Sequence, residues 1–527
     1  MRNHILRASL VIFLAAASYA TVALGLTVTV KDSGHLDQLI AHLGTKQATL
    51  QIDREHLINE NVVVPPNIRL RFIRGGSLNI AAGATVSIGG LVEGEQRQIF
   101  RGSGSVHFID SSVKVTPQMF GAKGDGQTDD TLAVQKAIDS GDEVFFPDGT
   151  YLLGKITPGP NFLENRLLTL RSNISISGAG KTSILKLKDH LLDGVNDSTS
   201  NTNVMVGYDL VNVTITNIAF DLNGAKNLTP PGKIRNAYAI YVLGGHGLSI
   251  RNNFLSESAG RNMIVIQNHG EKKGFNAVVS GNTLRNGGYY IGSRSGSPVE
   301  NVNNTDFSFM YVVWDDSIIE KNWIEEQDPD VSLQHPAGGI EVHASNTKAM
   351  GNTLIGTNPA FYLATSPGPK EKITVSDNEI RNSIRGIVFF LYDGNLTDIN
   401  VIHNNIELTN SSIKTSDVCA GIIVPTGNLE VFDKPHANAG YVERVNITDN
   451  TIFNNFSNKK LYPCDGMVLH SLHTAKITNN NINGMTGTGI MFLGSPWGSQ
   501  DVEIEIVPGL VESSDSRLGA RYATCTC

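Results

Sequence analysis

From about residue 167 onward the chain repeats one short pattern of apolar and polar positions, apolar-x-x-Asn-x-apolar. It occurs as Ile250…Asn253-Phe-Leu255, Val279…Asn282-Thr-Leu284, Ile319…Asn322-Trp-Ile324 and Ala349…Asn352-Thr-Leu354. It continues as Val375…Asn378-Glu-Ile380, Val401…Asn404-Asn-Ile406, Ile447…Asn450-Thr-Ile452 and Ile477…Asn480-Asn-Ile482. The Asn spacings are 29, 40, 30, 26, 26, 46 and 30 residues. The shortest approximates one bare coil and the excess measures insertions. Ile215…Ile218-Ala-Phe220 reads as an earlier coil with Ile in the Asn place. One coil cannot bury its apolar face alone, whereas a stack can. Asn accepts left-handed turn geometry, and its amide can bond to the same amide one rung above and below. These eight Asn are therefore read as scaffold, in strands that end each coil.

Ahead of the repeat, residues 26–117 alternate apolar and polar in short runs such as Ile68-Arg-Leu-Arg-Phe-Ile73 and Thr85-Val-Ser-Ile88. Gly75-Gly76, Gly83 and Gly89-Gly90 punctuate them, which predicts an N-terminal β-rich section. One short helix is expected near Leu36–Leu43. Then come Met119-Phe-Gly-Ala-Lys-Gly-Asp-Gly-Gln-Thr-Asp-Asp130, Thr131-Leu-Ala-Val-Gln-Lys-Ala-Ile138 and Glu143-Val-Phe-Phe-Pro-Asp-Gly-Thr-Tyr151. They read as a Gly-rich loop, an Asp-capped amphipathic helix and a buried strand ending in a turn. Gly124-Asp-Gly126 lacks the Lys-Ser/Thr of a phosphate-binding loop.

This stretch resembles the entry segment of the pectate-lyase-like superfamily of right-handed parallel β-helices. That superfamily includes polygalacturonases, mannuronan epimerases, some glucanases and phage tailspike depolymerases. The resemblance implies an all-β fold, a right-handed parallel β-helix over residues 118–510, with a capping helix near 129–139. It says little about the reaction. Polygalacturonases carry Asn-Thr-Asp, Asp-Asp, Gly-His-Gly and Arg-Ile-Lys in that order. Here Gly245-His-Gly247 precedes Asp315-Asp316 and the other two motifs are missing, so Gly245-His-Gly247 reads as a turn. The epimerase-like Asp-Pro-His-Asp/Glu is represented only by Asp328-Pro-Asp330.

The two ends add a compartment. Residues 1–25 read as a secretory signal: Arg2 and Arg7, an apolar run from Leu10 to Leu24, then small-x-small sites at Ser18-Tyr-Ala20 or Ala23-Leu-Gly25. A secreted or periplasmic protein follows, with no membrane span after signal removal. Residues 511–527 read as a loose tail, and its Cys525-Thr-Cys527 without further ligands is poor evidence for a metal site. The net charge of −8 gives no sign of nucleic-acid binding, and any attraction for a polyanion must be local.

Candidate chemistry comes from the first strand of each coil. Gly339-Ile-Glu-Val-His-Ala-Ser345 aligns with Ala360–Ser366, Gly386–Tyr392 and, in the preceding coil, Gly288–Arg294. Alternation along a strand then turns Glu341 and His343 outward and Ile340 and Val342 inward. The outward column of Glu341 reads Tyr241, Tyr290, Glu341, Tyr362, Val388, Ile423 and Val468. That of His343 reads Gly292, His343, Ala364, Phe390, Pro425 and His470. Tyrosines one rung either side of a carboxylate in an exposed groove suit a sugar, whose apolar faces cover aromatic rings. Tyrosines are also simply favoured in strands.

Insertions at 295–316, at Glu325–His335 and at about 409–441 surround this coil and are expected to wall the groove. They bring in Trp314 and four acids, Asp315, Asp316, Asp328 and Asp330, as candidate second carboxylates or calcium ligands. Arg261, Arg294 and Arg385 are candidate cations near the strand ends. A lyase acting on a uronic acid needs a cation to neutralise the carboxylate and a base for the C5 proton, here Arg385 with His343 or a tyrosine. A hydrolase needs two carboxyl groups about 5–9.5 Å apart, here Glu341 with Asp315 or Asp316. Tyr290, Tyr362, Trp314, Arg294 and Arg261 are the expected substrate contacts. Cys419 and Cys464 each stand two residues before an aligned strand glycine on successive coils. Their stacking predicts a disulfide. The expected function is an exported polysaccharide-cleaving enzyme, lyase slightly ahead of glycoside hydrolase. A non-catalytic carbohydrate-binding solenoid and an epimerase are the alternatives.

Overall fold

In a computed structural model the chain winds as a right-handed parallel β-helix. The structure describes residues 26–30, 36–94, 96–109, 113–159, 164–193, 201–227, 236–258, 262–287, 308–326, 338–409, 418–425, 439–454, 463–492, 501–504 and 511–513. The N-terminal β-rich section is itself a narrow stack. Leu26–Thr29, Ala48–Ile52, Ile68–Phe72 and Val92–Glu93 pair in parallel, with Leu50 opposite Leu70 and Leu70 opposite Val92. Alternation in Ile68–Phe72 buries Ile68, Leu70 and Phe72 and exposes the two arginines between them. The helix Leu36–Leu43 sits at the head of this stack, with Leu36, Ile40 and Leu43 buried.

The helix Thr131–Ser140 buries Val134, Ala137 and Ile138 against the core. Its N-cap residue, Asp130, makes no side-chain bond to the helix. The Asp130 carboxylate instead accepts Lys123 N–H at 2.7 Å and Gly124 N–H at 2.9 Å, holding the Gly-rich loop closed. Asp129 takes the capping bond, from Thr131 N–H at 3.1 Å. Burial pushes the Asp130 carboxyl up, against the pull of those two donors.

The coil around Glu341 has three strands, Gly338–Val342, Lys348–Met350 and Thr353–Ile355. The bend between the second and third strands is where the repeated Asn sits. Asn352 Nδ2 donates to Ile319 O and to Asn378 Oδ1, both at 3.0 Å, and its Oδ1 accepts from Asn322. The same link joins Asn253 through Asn480, at 2.9–3.0 Å throughout. Each Oδ1 also accepts a backbone N–H from the rung before; for Asn253 that donor is Ile218 N, where the ladder begins. The ladder residues are not themselves left-handed, which corrects half of the expected reason for Asn. The residue before each carries the positive φ: Asn252, Gly281, Lys321, Gly351, Asp377, His403, Asp449 and Asn479. Asn is therefore selected at these bends by its amide alone.

Cys419 and Cys464 are disulfide-bonded across paired rungs, with Cα atoms 4.6 Å apart and a sequence separation of 45. Closing a loop of that length removes about 4 kcal/mol of denatured-chain entropy by the simple chain model. A Cys419→Ser/Cys464→Ser double variant should lose about 2–4 kcal/mol in denaturant unfolding monitored by circular dichroism; an unchanged midpoint would show the bridge to be passive. At the far end Val511–Ser513, read as loose tail, pairs with Asn481–Met485. Cys525 and Cys527 lie outside the described residues, as do residues 1–25.

Candidate functional site

The first strands stack into one sheet whose two faces separate. Ile340, Val342 and Ala344 join the central core, whereas Tyr362, Val388, Ala420, Ile423 and Val468 form a second cluster on the outer face. Glu341 stands in that outer column, directly between Tyr311 and Tyr362. From Val206 the column runs Tyr241, Val265, Tyr311, Glu341, Tyr362, Val388, Ile423, Val468 and Met491. Tyr311 therefore replaces Tyr290 in the expected ladder. The strand opposite Gly338–Val342 is Ser308–Val312, whose near-continuous apolar run hid the alternation. Spacing held the signal: Tyr311 precedes Asn322 by eleven residues, as Glu341 precedes Asn352. Tyr290, Arg294, Arg261, Asp328 and Asp330 lie outside the described residues.

His343 is fixed from three sides. Its N–H donates to Val312 O at 2.8 Å, its ring lies 4.5 Å from that of Tyr311, and Nδ1 is 2.5 Å from Ser366 O. A carbonyl can only accept, so Nδ1 carries a proton and Nε2 is the exchanging nitrogen. Nε2 lies 3.3 Å from Glu341 Oε2. Two facing lone pairs would repel there, so one proton is shared: an imidazolium with a carboxylate, or an imidazole with a carboxylic acid. The groove is not open as expected, since Glu341 is 5% and His343 7% exposed.

Arg385 opens the strand Arg385–Phe390, two rungs on and roughly 10 Å along the axis, and three residues, about 10 Å, before Val388 of the Glu341 column. It sits opposite Ala420, a member of the outer cluster, is 7% exposed, and its Nε has no hydrogen-bond partner. A buried guanidinium with an unsatisfied N–H favours an incoming anion. Asp465 follows one rung beyond Ala420; burial pushes its carboxyl up, partly offset by the Thr488 N–H it accepts at 2.6 Å. His470, four rungs from His343 in the same column, has its pKa lowered by burial.

The remaining expected residues are elsewhere. Trp314 is a core residue with no exposure, its indole N–H donating to Gln267 O at 2.8 Å, because it falls in the inward column of Ala344. Asp315 lies past the end of its strand and accepts Ser345 N–H at 2.7 Å. Asp316 is exposed, in a left-handed turn with φ 56°. Among the described residues neither shares a hydrogen bond with Glu341, whose side-chain partner is His343. Gly245-His246-Gly247 is a packed bend: a Cβ at Gly245 would lie 1.9 Å from Leu210 O, and His246 stacks on Phe275. Among the described residues, no three His, Cys, Asp or Glu side chains converge as metal ligands, and no helix is long and apolar enough to cross a membrane.

Comparison with known proteins agrees with this architecture. The family described as rhamnogalacturonase A/epimerase, pectate lyase-like, matches residues 113–327, which stops short of Glu341. The pre-neck appendage protein of Bacillus phage phi29 is 36% identical over 99 residues, 18% of this chain and 10% of that protein. Alginate lyase 7 of Azotobacter vinelandii is 42% identical over 76 residues, 13% of this chain and 8% of that protein. Mannuronan C5-epimerase AlgE2 of the same organism is 41% identical over 76 residues, 13% of this chain and 7% of that protein. The chain thus matches a tenth or less of each of these relatives. A variant of the tailspike protein of E. coli bacteriophage HK620, in complex with a pentasaccharide, superposes with a TM-score of 0.56. That superposition has 17% identity and covers 74% of this chain and 65% of the tailspike chain. Residues 113–327 thus match the pectate-lyase-like family model, and the described residues wind as a right-handed parallel β-helix.

Proposed function

We propose that this chain is an exported enzyme that cleaves a uronic-acid polysaccharide by elimination on the outer face of the first sheet. The observation that carries the reading is the proton-sharing Glu341–His343 pair, held between Tyr311 and Tyr362. In this reading the pair gives up its shared proton to solvent, His343 Nε2 then takes the C5 proton beside the Glu341 carboxylate, and the electron pair forms the C4–C5 double bond. The C4–O bond breaks and a tyrosine hydroxyl protonates the leaving oxygen. Arg385 takes the carboxylate of a uronate unit further along the bound chain. The alginate lyase relative supports this class, and the disulfide suits an oxidising compartment. Hydrolysis would need a second carboxyl about 5–9.5 Å from that of Glu341; the Asp315 carboxylate is instead committed to Ser345 N–H.

A second reading, a carbohydrate-binding solenoid without catalysis, is favoured by one observation: at 5% and 7% exposure, Glu341 and His343 form a buried polar pair within one coil, tied to the next through Ser366 O. Epimerisation shares the C5 proton removal and returns the proton to the opposite face instead of expelling the leaving group. Incubation with a panel of uronic-acid and neutral polysaccharides separates these. Ultraviolet absorbance of unsaturated ends indicates elimination, and new reducing ends without it indicate hydrolysis. Deuterium taken into uncleaved polymer from heavy water indicates epimerisation. Retained binding with no chemical change would sink the enzyme reading.

A further inference from the structure

We propose that Lys370 is a positioning residue for His343, acting through the turn Ser366–Pro367–Gly368 without touching substrate. The inference rests on the proposed role of His343. That turn follows the strand Phe361–Ala364 and brings three consecutive carbonyls to two donors. Ser366 O accepts His343 Nδ1–H at 2.5 Å. Lys370 Nζ donates to Pro367 O and, at 3.2 Å, to Gly368 O. Thr365 ties the base of the turn to the next coil, its Oγ1 accepting Asp393 N–H at 2.9 Å. The carbonyl that holds the imidazole tautomer is therefore flanked by carbonyls pinned by an ammonium. A ring nitrogen is oriented by the bond its other nitrogen makes, so a displaced Ser366 frees Nε2 to leave Glu341. Bonds from a cation are stronger than neutral ones, and more so where water is partly excluded. Lys370 meets that condition: burial lowers its pKa, Lys273 adding to the fall while Asp315 and Asp393 oppose it. Asp315, expected as a catalytic carboxylate, thus has a place beside the positioning lysine.

The test reads His343 directly. Purified wild type and Lys370→Met are treated with diethyl pyrocarbonate, and carbethoxylation of each histidine is followed by peptide mass spectrometry. His190, whose side chain is 69% exposed, serves as the reference. Losing the charge-assisted bonds should raise the modification rate of His343 about tenfold, with His190 unchanged. Lys370→Arg keeps charge and donors and should restore the wild-type rate. If Lys370→Met does not fold, Lys370→Gln makes the same comparison. An unchanged His343 rate in the neutral variant, or an equal rise at His190, overturns the proposal. Where the wild type cleaves polysaccharide, Lys370→Met should lower kcat about tenfold with KM changed less than twofold. A wild type that cleaves nothing would refute the enzyme reading while the His343 rates still decide this one.

Discussion

Glu341→Gln should lower polysaccharide cleavage by about 10²–10⁴-fold, the range for loss of a positioned acid–base group, while leaving the fold intact. Glutamine has nearly the same volume, and its amide N–H can donate to His343 Nε2 across the same 3.3 Å gap. The hydrogen bond survives, and the shared proton does not. Loss of one partner of a buried pair is costly when it strands a charge, and here His343 can stay a neutral imidazole accepting from the glutamine, so no unpaired charge is left. The expected signature is lost turnover with a midpoint of thermal unfolding within a few degrees of wild type. Glu341→Ala is the less informative variant, because it leaves a cavity and an imidazole without its partner. Turnover of Glu341→Gln within about threefold of wild type would remove Glu341 from the chemistry.

The second large effect is on stability. Asn352→Ala should cost roughly 3–6 kcal/mol, because several buried groups lose partners at once, each worth about 1–3 kcal/mol. Asn322 N–H and Nδ2–H lose their common acceptor, and Ile319 O loses a donor. Asn378 Oδ1 keeps one donor at most, the backbone N–H of residue 352. Asn352→Asp should be no better, since a carboxylate supplies no donor and brings a charge into a site with no exposure. Chemical unfolding followed by circular dichroism measures the loss. A cost below about 1 kcal/mol would mean that the amide chain is dispensable and apolar stacking holds the coils.

The scaffold was legible because it repeats. Eight Asn at coil spacing place eight bends, and the apolar residues beside them place the second and third strands around each bend. What single-residue reading missed there was the backbone: the left-handed position belongs to Gly351 or Lys321, one residue earlier. The site was legible only in part. Alternation put Glu341 and His343 on the outer face, and register put Tyr362 beside Glu341. Tyr311 was missed because Phe309, Met310 and Val312 around it are all buried, so its strand lacks the polar–apolar contrast that marks a face. Trp314 failed for the opposite reason. As a large aromatic in an insertion it resembled a sugar contact, although its parity with Ala344 turns it into the core. Ser366 and Lys370 left no trace in the sequence, because they act through backbone carbonyls, which any residue supplies.

The proposed function has a uronic-acid chain bound and opened against the Tyr311–Glu341–Tyr362 ladder. The most direct measurement is a crystal structure of the Glu341→Gln variant with a uronic-acid oligosaccharide. A sugar ring is expected on this outer column with C5 about 3–3.5 Å from His343 Nε2 and the carboxylate of a unit further along the chain at Arg385. An oligosaccharide bound to either of the other two sheets, or on the outer column with no ring against His343, would contradict the proposed function.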